Sequence, residues 1–439
     1  MGAISLGCAK NRVDTEVMLG LLGAAGYGIT ADLAAADVLV VNTCAFITAA
    51  QRESVNTVLE AARYKEQGRL RAFVVAGCLV ERHGTALLRE MPEIDGLLGT
   101  GKIDEIAAVV AGALRGEKPV ALGDPGYVSG PEQPRFLTTP PYTAYLKLAE
   151  GCSNRCSFCI IPALRGRYRS RRREDILTEA ALLSARGVRE LILVAQDTTR
   201  WGLDLYGRAE LPGLLRELAR LDGVRWVRLL YAYPTGISDE LLTTLAEEEK
   251  VCRYLDLPLQ HVRSRLLKKM NRPVIDVAGL IRRVREAVPG VTLRTTFIVG
   301  FPGETEADFT ALEAAVRELA FDRTGVFAYS REEGTPAAAL PEQVSWRVKQ
   351  ERLRRLRAAA REVSLTRNRR LVGREVLVLT EGARGRFFYG RSEADAPEVD
   401  GSVYFTASRP VAAGEFVRVR ITRARTYDLV GECVDPELR

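Results

Sequence analysis

The sequence predicts an α/β protein in three parts: a small parallel α/β domain, a larger β/α barrel or partial barrel, and a small antiparallel β-barrel. Three observations carry that prediction. Short apolar runs, each followed by a cysteine, recur near residues 2–8, 38–44 and 72–78. Strand–helix alternation resumes on a larger scale from Thr143 and continues for about 225 residues. Residues 371–439 then break into short strands separated by glycines.

At 439 residues the chain is too long for one hydrophobic core, so roughly two to four domains are expected. No apolar run reaches the ~18 residues needed to span a bilayer. The N-terminal MGAISLGCAKN lacks the apolar core and cleavage site of a signal peptide. These features point to the cytosol and away from a membrane, and there the eight cysteines read as ligands rather than disulfides.

Each element has its own signal. GAISLG (2–7), VLVVNTC (38–44) and AFVVAGC (72–78) read as short buried strands, each followed by a helix-like segment. Cys8, Cys44 and Cys78 are 36 and 34 residues apart, one βαβ unit per interval. The first domain is expected over 1–117, with a linker over 118–141, because 117–142 holds six prolines and three glycines. Strands of the second part are read at 143–149, 190–195, 227–232, 254–259, 292–299 and 325–330. In such a barrel the chemistry sits at the C-terminal strand ends. Leu353, Leu356, Ala360 and Val363 give one apolar face to a helix in 345–373, which carries ten positive and two negative side chains. The barrel and this helix together span 142–370. Residues 371–439 carry ten Arg against eleven Asp or Glu, a net of −1, and read as a β-barrel of oligonucleotide-binding type.

The chemistry-bearing stretch is EGCSNRCSFCI (150–160), where Cys152, Cys156 and Cys159 follow the first barrel strand. A structural zinc site needs a fourth protein ligand, and the only histidines, His83 and His261, lack finger spacing. A cubane held by three thiolates instead leaves one iron open to an exogenous ligand. The bland alternative is three buried or zinc-bound cysteines. Cys8, Cys44 and Cys78 are expected at the C-terminal ends of adjacent parallel strands, where they should converge as a second three-thiolate set. Cys252 and Cys433 are left over as structural. The run LRGRYRSRRRE (164–174) has six arginines in nine residues and reads either as a solvated face or nucleic-acid patch, or as a rim steering an anion.

The spacing Cys152-x3-Cys156-x2-Cys159, with Phe158 before the last cysteine, resembles the signature of radical S-adenosylmethionine enzymes. That resemblance implies that the open iron is taken by the amino and carboxylate groups of the cofactor's methionine moiety. It also places Gln196 and Asp197 of AQDTT, and Gly300 and Gly303 of IVGFPGET, as cofactor-contacting positions with Phe158. End to end, the chain resembles the radical methylthiotransferase family: a cluster domain, a partial TIM-type radical S-adenosylmethionine barrel and an OB-like TRAM domain. The resemblance implies two 4Fe–4S clusters, an auxiliary one on Cys8, Cys44 and Cys78 and a radical one on Cys152, Cys156 and Cys159. It further implies a 5′-deoxyadenosyl radical, transfer of a methylthio group from the auxiliary cluster, a reductant such as flavodoxin or ferredoxin, and a sulfur donor.

The family modifies either a transfer-RNA adenosine, N6-isopentenyladenosine, or the β-carbon of an aspartate in protein twelve of the small ribosomal subunit. SLGCAKNRVDTE (5–16), YAYP (231–234), YLDLPLQH (254–261) and GRSEADAPEVDG (390–401) resemble the ribosomal-protein branch. Ala9 and Thr15 depart from the proline and serine expected there. Glu393, Asp395, Glu398 and Asp400 are read as recognising a basic ribosomal protein. Arg418, Arg420, Arg423 and Arg425 form a basic strip suited to a secondary nucleic-acid contact. The transfer-RNA branch is the alternative, and a non-catalytic metal-carrying RNA-binding protein is the third reading.

Overall fold

The computed structural model describes residues 1–66 and 68–434. The first sheet holds five parallel strands in chain order: β1 (Gly2–Ser5), β2 (Val38–Thr43), β3 (Ala72–Gly77), β4 (Gly96–Leu98) and β5 (Val120–Ala121). β4 and β5 are only three and two residues long, too short for any periodicity to reveal them in the sequence. The longer runs are apolar throughout because both sheet faces are covered. Val38, Val40 and Val74 pack with helices Ala9–Ala24 and Ile106–Leu114, whereas Leu39, Val41 and Val75 pack with helix Thr48–Glu66.

The second part contributes β6 (Thr143–Lys147), a small ribbon of β7 (Ala149–Glu150) and β8 (Arg169–Ser170), then β9 (Glu190–Val194), β10 (Trp226–Leu229), β11 (Tyr254–Asp256), β12 (Thr292–Val299) and β13 (Arg323–Ala328). Strands β6, β9 and β10 form one parallel sheet and β11 to β13 another, joined by a bridge between Val227 and Val251. Among the described residues no ladder pairs β13 back to β6, so the barrel is partial. Alternation again divides the strands. Leu146, Leu191 and Leu193 face an outer helix layer, while Tyr145, Ile192 and Val194 share a core with helix Ala9–Ala24 and with Leu379 and Ala396 of the last domain. The neighbouring domains therefore fill the open barrel.

Helix Trp346–Arg369 buries Leu356, Ala360 and Val363 and packs on β13. Part of its basicity is consumed locally: Arg352 meets Glu304, Arg355 meets Glu306 and Glu313, and Arg367 meets Asp322. Among the described residues no helix is long and apolar enough to cross a membrane.

The C-terminal strands β14 (Glu375–Arg384), β15 (Phe387–Ser392), β16 (Val403–Thr406), β17 (Phe416–Ala424) and β18 (Leu429–Cys433) close into a barrel. The pairing of β16 with β18 is parallel, whereas the sequence reading has antiparallel strands alone. Five strands around a closed ring cannot alternate in direction throughout, so one parallel neighbour pair is unavoidable.

This barrel docks at the N-terminal ends of β9 to β11, and the docking corrects the expectation for the acidic loop. Asp395 is 1% exposed and pairs with Arg323 at 2.6 Å. The Asp400 side chain is only 1% exposed, pairs with Arg294 at 3.4 Å and accepts the Tyr254 hydroxyl at 2.6 Å. Neither carboxylate is free to read a partner protein. Glu393 and Glu398 remain exposed, and Glu398 meets Arg12 of the first domain at 2.9 Å. Local charge shows that a loop is acidic but does not show that its counter-cations lie in its own chain.

Candidate functional site

Cys44 and Cys78 immediately follow β2 and β3, and Cys8 caps the N-terminus of helix Ala9–Ala24 beyond β1. Because the three strands are adjacent and parallel, the thiols converge, close enough for Cys44 to feel both Cys78 and Cys8 electrostatically. Two glycines make this approach possible. Gly7 and Gly77 both have φ of +92°, and a Cβ on Gly77 would lie 2.2 Å from Asn42 Oδ1. Gly77→Ala should therefore displace Cys78 and cost more than about 1 kcal/mol of stability. Reconstituted Gly77→Ala is expected to hold about half the iron and sulfide of the wild type, and a full complement would refute this role for the glycine.

Asn11 organises the same pocket. Its Nδ2 donates to the carbonyls of Leu6 and Thr43 at 3.0 and 2.9 Å, and its Oδ1 faces Cys78 Sγ at 3.9 Å. Burial pushes the Cys44 thiol up to about 12 and raises Cys78 as well. Burial also acts to raise Cys8, but Lys10 and Arg165 outweigh it and the net direction is down.

The second trio lies in the loop that the β7–β8 ribbon closes at its base. Cys159 N donates to Cys156 O at 3.0 Å and Cys152 N to Gly166 O at 3.1 Å, fixing the loop on itself. A segment of the barrel clamps it from outside: Ser157 N donates to Met270 O at 2.9 Å and Asn271 Nδ2 to Arg155 O at 2.8 Å. Arg272 Nη1 lies 3.8 Å from Cys156 Sγ, with its guanidinium 4.4 Å from the Tyr233 ring centroid. All three cysteines are partly exposed. Burial of the thiols still pushes Cys159 up to about 12 and raises Cys152.

The donor chemistry fits three-thiolate clusters. His83 faces Gln51 at 3.2 Å, and His261 is buried against Glu304 at 3.2 Å, so neither completes a trio. Among the described residues no three His, Cys, Asp or Glu side chains are set to hold a single metal ion. Thiolates around one zinc crowd a common centre, whereas those around a cubane each bind a different iron and stand farther apart.

Between the trios lies a buried quartet of charges. Arg165 donates to Asp14 at 2.8 Å and to Glu150 at 3.0 Å, and Lys147 bonds both carboxylates. Arg165 also donates to Asn11 Oδ1 at 2.5 Å, which links the loop of one trio to the pocket of the other. The arginine run is therefore no continuous patch. Arg165 and Arg171 are buried, and Arg173 is held by Glu210 and Glu217. Arg167 and Arg172 are the exposed members.

The other expected cofactor-contacting positions divide. Gln196 is half-buried past β9 with no protein hydrogen bond among the described residues. Asp197 is fully buried and occupied: Asn154 Nδ2 donates to it at 2.8 Å and Thr199 Oγ1 at 2.6 Å, so it ties the cysteine loop to the barrel. Phe158 packs against the small core of Phe301 and Tyr329. Gly300 and Gly303 adopt φ of +70° and +79°, but the space beside them is taken by Lys349 and Lys269. The close approach is made there by protein side chains. Lys10, Asn11, Tyr231, Tyr233, Arg165 and Arg272 were not singled out from the sequence, although most fall within the motifs quoted above. Their significance depends on contacts between domains.

Known proteins match the whole of this arrangement. Residues 1–99 match the uncharacterized protein family UPF0004, residues 146–315 the Radical SAM superfamily, and residues 372–434 the TRAM domain. The radical S-adenosylmethionine methyltransferase TsrM from Kitasatospora setae superposes with a TM-score of 0.57 at 20% identity, covering 76% of each chain, a likeness of fold alone. The ribosomal protein uS12 methylthiotransferase RimO of Desulforudis audaxviator is 53% identical over 97% of this chain and 95% of its own length. That of Pelotomaculum thermopropionicum is 53% identical over 99% of both chains. With identity at that level over nearly the whole of both chains, the chain belongs to the RimO family of radical S-adenosylmethionine methylthiotransferases.

Proposed function

We propose that this enzyme replaces a hydrogen on the β-carbon of an aspartate in ribosomal protein uS12 with a methylthio group, acting in the cytoplasm. What supports the reading is the likeness to the RimO enzymes together with two three-thiol sets linked across the seam between the first domain and the barrel, where Arg165, just past the Cys152–Cys159 loop, donates to Asn11 beside Cys78. Cys8, Cys44 and Cys78 would hold the auxiliary 4Fe–4S cluster, and Cys152, Cys156 and Cys159 the radical one. When bound, the clusters and S-adenosylmethionine supply the one-electron chemistry, the methyl group and the sulfur. The chain's own residues orient these groups. Asn11 and the two glycines shape the first pocket, and the 269–272 segment and Asp197 hold the second loop. A small electron-transfer protein such as flavodoxin or ferredoxin, and a sulfur donor, complete the partners.

The basic strip supports a secondary RNA contact. Arg418, Arg420, Arg423 and Arg425 are exposed along β17 and beyond it, although Arg420 also meets Glu375 at 2.9 Å. Mass spectrometry of uS12 and of transfer RNA from cells with and without the gene tests the reading. The expected result is loss of one methylthio group from uS12 with transfer RNA unchanged. The opposite pattern would overturn the protein substrate in favour of the transfer-RNA adenosine.

A further inference from the structure

Most buried cations in this chain are neutralised by carboxylates. Lys147 and Arg165 share Asp14 and Glu150, and Arg228 and Arg391 share Glu190. Lys10 differs. It is 4% exposed, and its Nζ rests 3.4 Å from the centroid of the Tyr231 ring, with no ion pair to any described residue. A ring face offsets only part of the cost of burying an ammonium. Its nearest acid besides Tyr231 is the Cys8 thiol, and no carboxylate of the described residues is paired with it, which leaves room for one.

Its position says which anion. Lys10 is the second residue of helix Ala9–Ala24, two positions past Cys8. Tyr231 follows β10 at a C-terminal strand end of the barrel with φ of +59°, a strained conformation for a tyrosine. Tyr233, in the same YAYP turn, carries Arg272 over its ring, and Arg272 reaches Cys156. The turn thus sets one cation beside each cysteine trio, and Lys10 is the one on the side of Cys8. A target carbon that must meet both sites has to lie along this seam.

We infer that Lys10 is a specificity-determining residue that takes the side-chain carboxylate of the target aspartate; this rests on the function proposed above. The carboxyl carbon is bonded directly to the β-carbon, so anchoring it places the reacting C–H bond. A desolvated ammonium forms short, charge-assisted hydrogen bonds to a carboxylate. A neutral group, an amide or a nucleobase, would leave the same ammonium buried and unpaired, which is how a polar site rejects a near-isostere. An alternative is that Lys10 merely balances the charge of the neighbouring cluster.

The test uses full-length reconstituted enzyme and two uS12 proteins, one natural and one with asparagine at the target position. Iron and sulfide are measured first, as a check on cluster loading. Wild type should bind the aspartate protein about 10-fold or more tighter than the asparagine protein. Lys10→Met should erase that ratio and slow methylthiolation of the aspartate protein, and Lys10→Arg should restore part of both. Equal weakening toward both proteins would overturn the assignment in favour of cluster balance. If wild type itself does not distinguish the two proteins, the assignment also fails, whatever the variants do. A wild-type enzyme that binds and modifies neither overturns the proposed function, and the Lys10 assignment falls with it.

Discussion

Cys156→Ala is expected to abolish 5′-deoxyadenosine formation from S-adenosylmethionine, whereas Cys44→Ala is expected to lose methylthio transfer while cofactor cleavage remains measurable. This is the largest effect expected of any substitution, because two thiolates cannot hold a cubane with one defined open position. The loop around Cys156 offers no replacement donor, since Arg272 and Tyr233 are its polar neighbours and Asp197 is consumed by Asn154 and Thr199. The two trios belong to different domains, so removing Cys44 leaves the clamp on the second loop untouched. The assay is 5′-deoxyadenosine and methylthiolated uS12 measured on the same reconstituted samples. Cleavage at the wild-type rate in Cys156→Ala would show that this trio is not the radical site. Methylthiolated product from Cys44→Ala would make the first trio structural.

The second large effect is on stability. Glu190 is fully buried at the start of β9 and accepts Arg228 Nε at 2.9 Å and Arg391 Nη2 at 2.6 Å, joining the partial barrel to the C-terminal one. Glu190→Ala leaves both guanidiniums buried without their shared acid, a loss of about 3–5 kcal/mol that should appear as a lower unfolding midpoint. Glu190→Gln keeps an acceptor oxygen and should fall between the two. Burial acts to raise the Glu190 carboxyl, but Arg391 and Arg228 outweigh it and hold it at about 2. A folded value below the unfolded one, ~4.3, means that the stabilisation is complete above the unfolded value. It is lost as pH falls through the folded value. The gap in thermal midpoint between wild type and Glu190→Ala should therefore narrow below about pH 4. A gap that is constant down to pH 2 would show that the charge of Glu190 is not what joins the domains.

Much of the architecture was legible in the chain because it follows from short-range patterns. Runs such as VLVVNT and AFVVAG are apolar at every position, and only a strand buried on both faces suits them. A cysteine placed immediately past two of them, and near the end of a third, converges once the strands pair in parallel. The spacing of Cys152, Cys156 and Cys159 is local in the same way, since three thiols within one loop need no distant contact to come together.

Charge was a different matter. The acidic loop and the arginine run both read as surfaces for a partner, yet Asp395 closes on Arg323 and Arg165 on Asp14. Those pairs are separated by 72 and 151 residues in sequence. Coulombic energy depends on distance in space and on the surrounding dielectric, neither of which a one-dimensional pattern contains. The sequence by itself determined the longer strands, the three-part order and the two sets of thiols, because those depend on neighbours a few residues apart. Only the tertiary structure decided which charges are spent within the fold and which, like Lys10, are buried with no carboxylate partner. That balance is struck between domains, where one chain meets itself across long separations.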